Sequence, residues 1–256
     1  MKEDQRKILS IELLETFKQA GSIALELRKK GLKTEIKKDN TPVTNGDIKV
    51  NDLLCKKIST LTPDIPIISE ENSDNKKKKN LKNFWLIDPI DGTHDYINNK
   101  EEFTINAALI INKEPVIGII NAPDKGRLFY SYAPKKSFEI KNSKEICLID
   151  KVKKNPLLIN AVSYSDELKP DILKIHKKFS VAEYTKMKSS LKFCVIAASE
   201  FDLYAAEARA CEWDIAAGHA ILEHAGGTLT DFEGNKILYG KDNFKNPSLI
   251  LKGKNI

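Results

Sequence analysis

Apolar residues recur every three or four positions near the start of the chain: Ile8, Ile11, Leu14, Phe17, Ala20, Ile23, Ala24 and Leu27, with Gly31 where a C-cap is expected. That spacing predicts a long amphipathic helix. A second helix is expected from Thr44 to about Ser59, with Val50, Leu53, Leu54 and Ile58 facing inward. The period then changes. The runs DIPIIS, FWLID, FTINAALII, PVIGIINAP, GRLFYSYA and SFEI read as strands, punctuated by Lys113-Glu114-Pro115 and Asp124-Lys125-Gly126. Together they predict an antiparallel meander.

From about residue 150 strands and helices alternate. LLINAV is followed by a helix after Pro170, another around Leu191–Ala198, the strand-like DLYAA, and a helix at about 213–225 that closes on Gly226-Gly227. Short strands near TLTDF and SLILKG end the pattern. The expected division is an α+β half over 1–150 and an α/β half over 151–256. No internal repeat or long linker interrupts it.

Composition adds limits. At 256 residues, 41% hydrophobic and 30% charged, the chain can bury a large core like an ordinary globular protein. No apolar stretch reaches the ~18–20 residues of a membrane span, and MKEDQRKILS lacks a signal peptide's apolar segment. Cys55, Cys147, Cys194 and Cys211 have no metal-type spacing, so reduced thiols in a cytoplasmic protein are expected, with peripheral attachment at the inner membrane as the alternative. The net charge of +6 is densest at Lys76–Lys79. That run reads as a solvated loop, or as a surface attracting anionic substrates or polyanions. No nucleic-acid-binding motif accompanies it.

The candidate chemistry lies in WLIDPIDGT, residues 85–93, where an apolar run leads into Asp88 and Asp91 on what reads as a tight turn. Such a turn needs no ligand. However, Glu70 and Glu71 follow another apolar strand, and Asp214 opens the small-residue helix WDIAAGHAIL. If Glu70, Asp88, Asp91 and Asp214 converge, each close pair costs roughly 4 kcal/mol at about 4 Å and an effective dielectric near 20. The cluster then requires protons or cations. All-oxygen donors without His or Cys select Mg²⁺, Mn²⁺ or Ca²⁺, and Mg²⁺ commonly completes its shell with water and phosphate.

Each acid also has a plainer reading. Glu70-Glu71 reads as a solvated loop, Asp214 as a complement to a helix macrodipole, and Asp47, three residues after Thr44, as half of a capping box. His219 and His224 read as packed or surface residues.

PIISEEN, WLIDPIDGT and EWDIAAGHAILEHAGG, in this order, resemble the Mg²⁺-dependent, lithium-sensitive phosphatases that include inositol monophosphatase and fructose-1,6-bisphosphatase. KKDNTPVTNGD, GTHDYINNKEEFTINAALI, VIGIINAP and SSLKFCVIAASEFDLY are most similar to the 3′(2′),5′-bisphosphate nucleotidases of the CysQ type. The resemblance implies a layered α-β-α-β-α sandwich and two or three Mg²⁺ ions held by Glu70, Asp88, Asp91, Asp214 and the Ile90 carbonyl. It makes Thr93 and Asp47 the pair that activates the attacking water, and Gly92 with the Thr93 amide a phosphate-cradling turn. Ser189, Ser190, Lys192 and Asp214 then bind substrate, with Lys192 and the serines on the phosphate that is not hydrolysed. For Lys192, capping or solvating a helix is the plainer role.

The implied reaction is hydrolysis of adenosine 3′,5′-bisphosphate to AMP and phosphate. An inositol or sugar phosphatase is the alternative within the class, and a catalytically silent polyanion binder the alternative outside it. Two departures fall on the substrate side: Lys188 stands where the family has Gly before Ser-Ser, and Ala205-Ala206 where it has Pro-Arg after Leu-Tyr.

Overall fold

The computed structural model describes residues 1–37, 40–71, 80–153 and 155–256; the lysine run 76–79 and residues 38 and 39 of KKDNTPVTNGD lie outside them. The first half runs α1 (Glu3–Lys30), β1 (Thr34–Ile36), β2 (Pro42–Thr44), α2 (Asn45–Leu61), β3 (Ile67–Ser69), β4 (Phe84–Asp91), α3 (Thr93–Ile97), β5 (Thr104–Ile111), β6 (Glu114–Ala122), β7 (Arg127–Ala133), β8 (Lys136–Lys141) and β9 (Lys144–Cys147). The second runs β10 (Ile159–Ser163), α4 (Pro170–Lys178), β11 (Val181–Lys186), α5 (Leu191–Ala197), β12 (Leu203–Ala206), α6 (Glu212–His224), β13 (Thr228–Thr230) and β14 (Leu249–Lys252).

Strands β3 to β9 pair in chain order as a seven-stranded sheet, antiparallel except for the parallel β3–β4 edge. The expected meander is there. A five-stranded sheet has the order β11-β10-β12-β14-β13, with β10, β11 and β12 parallel. Successive side chains of a strand point to opposite faces, and both faces of the large sheet are covered. Trp85 and Ile87 pack with Phe17 and Leu54 of α1 and α2, while Phe84 and Leu86 pack with Phe193 and Ile221 of α5 and α6. The far side of α5 and α6 meets Tyr204 and Leu251 of the small sheet, whose outer face carries Ile172 and Ile175 of α4. The order of layers is therefore α-β-α-β-α.

Small residues explain how close the middle layer sits. A Cβ on Gly118 of β6 would lie 2.2 Å from the Ala217 carbonyl oxygen of α6, so helix and sheet meet backbone to backbone.

Two expectations change. The buried seam of α1 is Leu9, Leu13, Phe17, Ala20 and Ala24, whereas Ile8 and Ile11 are exposed; two apolar stripes overlap there, and only tertiary packing selects one. Elements β1, β2, β9, β11 and α3 were not expected. β11 is an edge strand with little buried surface, so it lacks the alternation that marks a half-buried strand. Gly31 does cap α1, with φ +100°. All four cysteines are free thiols. Among the described residues, no helix is long and apolar enough to cross a membrane.

Candidate active site

Asp88 and Asp91 are not on a turn beyond the strand; both lie within β4. Asp88 pairs with Asn106 and Asp91 with Thr104, so three steps along β4 match two along β5. This is a β-bulge. In a regular strand residues three apart face opposite sides. The extra residue restores the same face, and both carboxylates point into the layer between the sheets. Gly92 follows with φ +94°, where an added Cβ would lie 3.0 Å from the Glu102 carbonyl oxygen, and α3 begins at Thr93.

The other acids reach the same cavity from different elements. Glu70 follows β3, its amide donating to the Ile87 carbonyl (3.1 Å), which sets it beside the end of β4. Asp214 is the third residue of α6, and its Oδ2 accepts from the Cys211 amide at 2.7 Å in a capping arrangement. The dipole and capping reading of Asp214 is thus compatible with a place in the site. Glu70, Asp88, Ile90, Asp91, Gly92, Thr93 and Asp214 all line one cavity of about 330 Å³.

Burial raises Asp88 well above the usual carboxylate range, and the charges of Glu70, Asp91 and Asp214 push it further. Burial likewise raises Asp214, to about 8, with Asp91 the next contributor. Asp91 is raised by burial too, against the opposing pull of Lys192 and Ser190.

Protein donors hold several of these acids. Ser190 gives Asp91 Oδ2 both its amide (2.5 Å) and its hydroxyl (2.6 Å). Lys37 Nζ lies 3.2 Å from Glu70 and 2.6 Å from Glu71, so this pair is not a merely solvated loop. No three His, Cys, Asp or Glu side chains among the described residues stand as a closed metal group. Asp88 Oδ1, however, is buried without a hydrogen-bond donor. An unpartnered carboxylate oxygen in a pocket of acids is costly, and this oxygen-only donor set fits a hard cation such as Mg²⁺.

Thr93 and Asp47 meet beside the acids. Thr93 Oγ1 lies 3.2 Å from Asp47 Oδ1 and 3.0 Å from the Ile90 carbonyl oxygen, placed to donate to either. Asp47 is also the capping residue expected from sequence: its Oδ2 accepts from the Thr44 amide (2.7 Å) and hydroxyl (2.6 Å). Its two oxygens divide the roles, one anchoring α2 and one facing Thr93. Burial raises its pKa, while the Thr44 hydrogen bonds oppose the shift.

The same cavity also carries cations. Lys188, Lys192 and Arg209 line the cavity together with Tyr164 and Tyr204. Lys192 is buried, donates to the Ser189 carbonyl, and is lowered by burial to about 8; it is neither solvated nor a helix cap. The Ser190 hydroxyl also lies 2.5 Å from the Asp214 carbonyl oxygen and accepts from Asn106 at 3.1 Å. It ties β4, β5 and α6 together. His219 and His224 are buried, as expected of packed residues.

Tyr164, Arg209 and Asn106 were not expected from sequence. Asn106 held a signal, a polar residue inside an apolar strand run; Tyr164 and Arg209 held none.

The family model described as the inositol monophosphatase family matches residues 4–254. The protein "3'(2'),5'-bisphosphate nucleotidase CysQ" of Buchnera aphidicola subsp. Acyrthosiphon pisum is 34% identical over 237 residues, 91% of this chain and 88% of that protein. The protein of the same name from Escherichia coli K12 is 35% identical over 216 residues, 82% of this chain and 85% of its own. Among solved structures, CysQ from Bacteroides thetaiotaomicron superposes with a TM-score of 0.82 at 25% identity, covering 96% of this chain and 97% of that one.

Proposed function

The chain belongs to the inositol monophosphatase family, and from that premise we propose that it is a Mg²⁺-dependent 3′(2′),5′-bisphosphate nucleotidase. It removes the 3′-phosphate of adenosine 3′,5′-bisphosphate, leaving AMP and phosphate. The observation that carries this reading is one cavity lined both by the acids, with the Thr93–Asp47 contact at its edge, and by Lys188, Lys192 and Arg209. The relatives named as this nucleotidase support it.

Glu70, Asp88, Asp91, Asp214 and the Ile90 carbonyl would hold the metal, two or three ions being the number expected. Bound there, the cation supplies Lewis acidity, polarising the phosphoryl group and making a water acidic. The rest falls to the chain. Thr93 Oγ1 positions the attacking water, takes its proton and passes its own to Asp47 Oδ1. Ser190 fixes the Asp91 carboxylate toward the cavity, and the left-handed Gly92 lets the chain turn beneath the phosphate. Lys192 with Ser189 adds positive charge on the substrate side.

An inositol monophosphate carries no second anion for Lys188, Lys192 and Arg209, so that reading accounts for less of the cavity. A silent polyanion binder has no use for a threonine held on a buried aspartate. The test is phosphate release with Mg²⁺ from adenosine 3′,5′-bisphosphate, inositol 1-phosphate and a sugar phosphate. The bisphosphate should be turned over with the highest kcat/KM. Equal or better turnover of inositol 1-phosphate would replace the nucleotidase reading with the phosphatase one.

A further inference from the structure

Three helices meet beside the Thr93–Asp47 contact, and one ring fills the space between them. Tyr96 lies in α3, three residues after Thr93, and is fully buried. Its hydroxyl donates to the Ala24 carbonyl of α1 at 2.6 Å. Its ring packs on Phe103 with centroids 4.8 Å apart, and the Arg28 guanidinium carbon lies 5.6 Å from its centroid. Arg28 is itself held by Asp124 at 2.6 Å and by the Lys100 carbonyl at 3.1 Å. The ring is therefore anchored at its oxygen and packed along its body, and moving it would break a buried hydrogen bond.

Gly46 meets this ring from α2. It is the second residue of that helix, one residue before Asp47. A Cβ at Gly46 would lie 2.6 Å from the Tyr96 hydroxyl oxygen and 2.9 Å from Cε1 of the ring. Ordinary contact begins near 3.4 Å, so a methyl group there would have to part α2 from the ring by about 0.8 Å. Glycine is a poor helix former, and the ring it packs on accounts for its use here.

These two positions adjoin the two members of the proton-transfer pair. Gly46 precedes Asp47 in α2, and Tyr96 sits one turn from Thr93 in α3. Their contact thus sets how far apart the two segments stand. Thr93 Oγ1 and Asp47 Oδ1 are 3.2 Å apart, already at the long end for a hydrogen bond between oxygens. A gap wider by about 0.8 Å would break it. Asp47 is not free to turn after its partner, because its Oδ2 is held by the Thr44 amide and hydroxyl.

We propose that Tyr96 and Gly46 are positioning residues, a ring and an absent side chain that together set the gap at which Thr93 can pass its proton to Asp47. The inference rests on the reading of Thr93–Asp47 as the water-activating pair. Neither residue lines the cavity, so the pair acts on kcat and not on binding.

Gly46→Ala should lower kcat by about 10²-fold, the cost of misplacing a catalytic group by about 1 Å. KM and calorimetric Mg²⁺ affinity should stay near wild type, because the acids that would hold the cation come from other elements. Gly46→Ala/Tyr96→Phe should recover most of the loss, since phenylalanine removes the oxygen at 2.6 Å and frees the ring from Ala24. In a Thr93→Ala background, Gly46→Ala should cost no more than about twofold in kcat, because no hydroxyl remains to be positioned. A merely structural role would multiply the two losses. Wild-type kcat in Gly46→Ala, equal losses with and without Thr93, or a double variant no faster than Gly46→Ala each overturns the proposal. Should Gly46→Ala fail to fold, recovery of folding and turnover in the double variant carries the same reading, and its absence overturns it. Full turnover in Thr93→Ala overturns the water-activating reading instead. The crystal structure of Gly46→Ala then decides the spacing by itself: a Thr93–Asp47 distance still at 3.2 Å overturns it, and one beyond about 3.5 Å supports it.

Discussion

Asp88→Asn tests the acid cluster most directly. Asp88 is 1% exposed, lies within charge range of Glu70, Asp91 and Asp214, and has one oxygen without a donor. A pair of unit charges at about 4 Å and an effective dielectric near 20 costs roughly 4 kcal/mol. The cluster escapes part of that by protonation, which burial and the neighbouring charges favour at Asp88. Asparagine keeps the shape and removes both the charge and the need for the proton. With divalent ions chelated, the variant should therefore be more stable than wild type by about 1–3 kcal/mol, a fraction of one pair's cost. For a chain of this size that is a rise in Tm of roughly 2–12 °C. Added Mg²⁺ should reverse the ranking: it stabilises wild type by binding the folded state, whereas the variant has lost an anionic donor. Turnover should fall to background. Calorimetric melts in EDTA and in Mg²⁺ read both effects. A variant that melts below wild type in EDTA, or gains as much from Mg²⁺, refutes the reasoning.

Thr93→Ala should lower kcat by roughly 10²–10⁴-fold, the usual worth of positioned proton transfer, with little change in Tm; steady-state kinetics alongside a melt checks both. Asp47→Asn should lose comparable activity and also about 1 kcal/mol of stability through the α2 cap; a variant that loses stability but keeps full turnover would reduce Asp47 to a capping residue. His224 provides a pH test remote from this chemistry. Burial, with the Arg6 charge second, lowers its pKa from 6.5 to about 4, so the unfolded chain binds the proton more readily. Stability present above pH 6.5 should be lost progressively as pH falls toward 4, by roughly 3 kcal/mol at about 1.4 kcal/mol per unit. Urea midpoints across that window should show a shallower slope in His224→Gln, and parallel slopes would contradict the assignment.

The sequence by itself determined the long helices and the meander, and it singled out Glu70, Asp88, Asp91 and Asp214, which line one cavity, and Thr93 and Asp47, which lie in hydrogen-bond contact. Most of these are legible because they rest on local spacing: a helical period, an acid at the end of an apolar run, a cap three residues from its partner; Thr93 was singled out by the family resemblance alone. The tertiary structure decided which of the two stripes on α1 is buried, since both satisfy the same period. It decided that Asp88 and Asp91 share a face, because that depends on β4 slipping one residue against β5. The roles of Ser190 and Asn106 were also decided there, by a hydrogen bond across the sheet-to-helix interface. So was the place of Tyr164 and Arg209, which carry no motif and meet Lys188 only because three parallel strands end side by side. Local patterns record what one segment must bury; pairing between segments is settled only when the layers close.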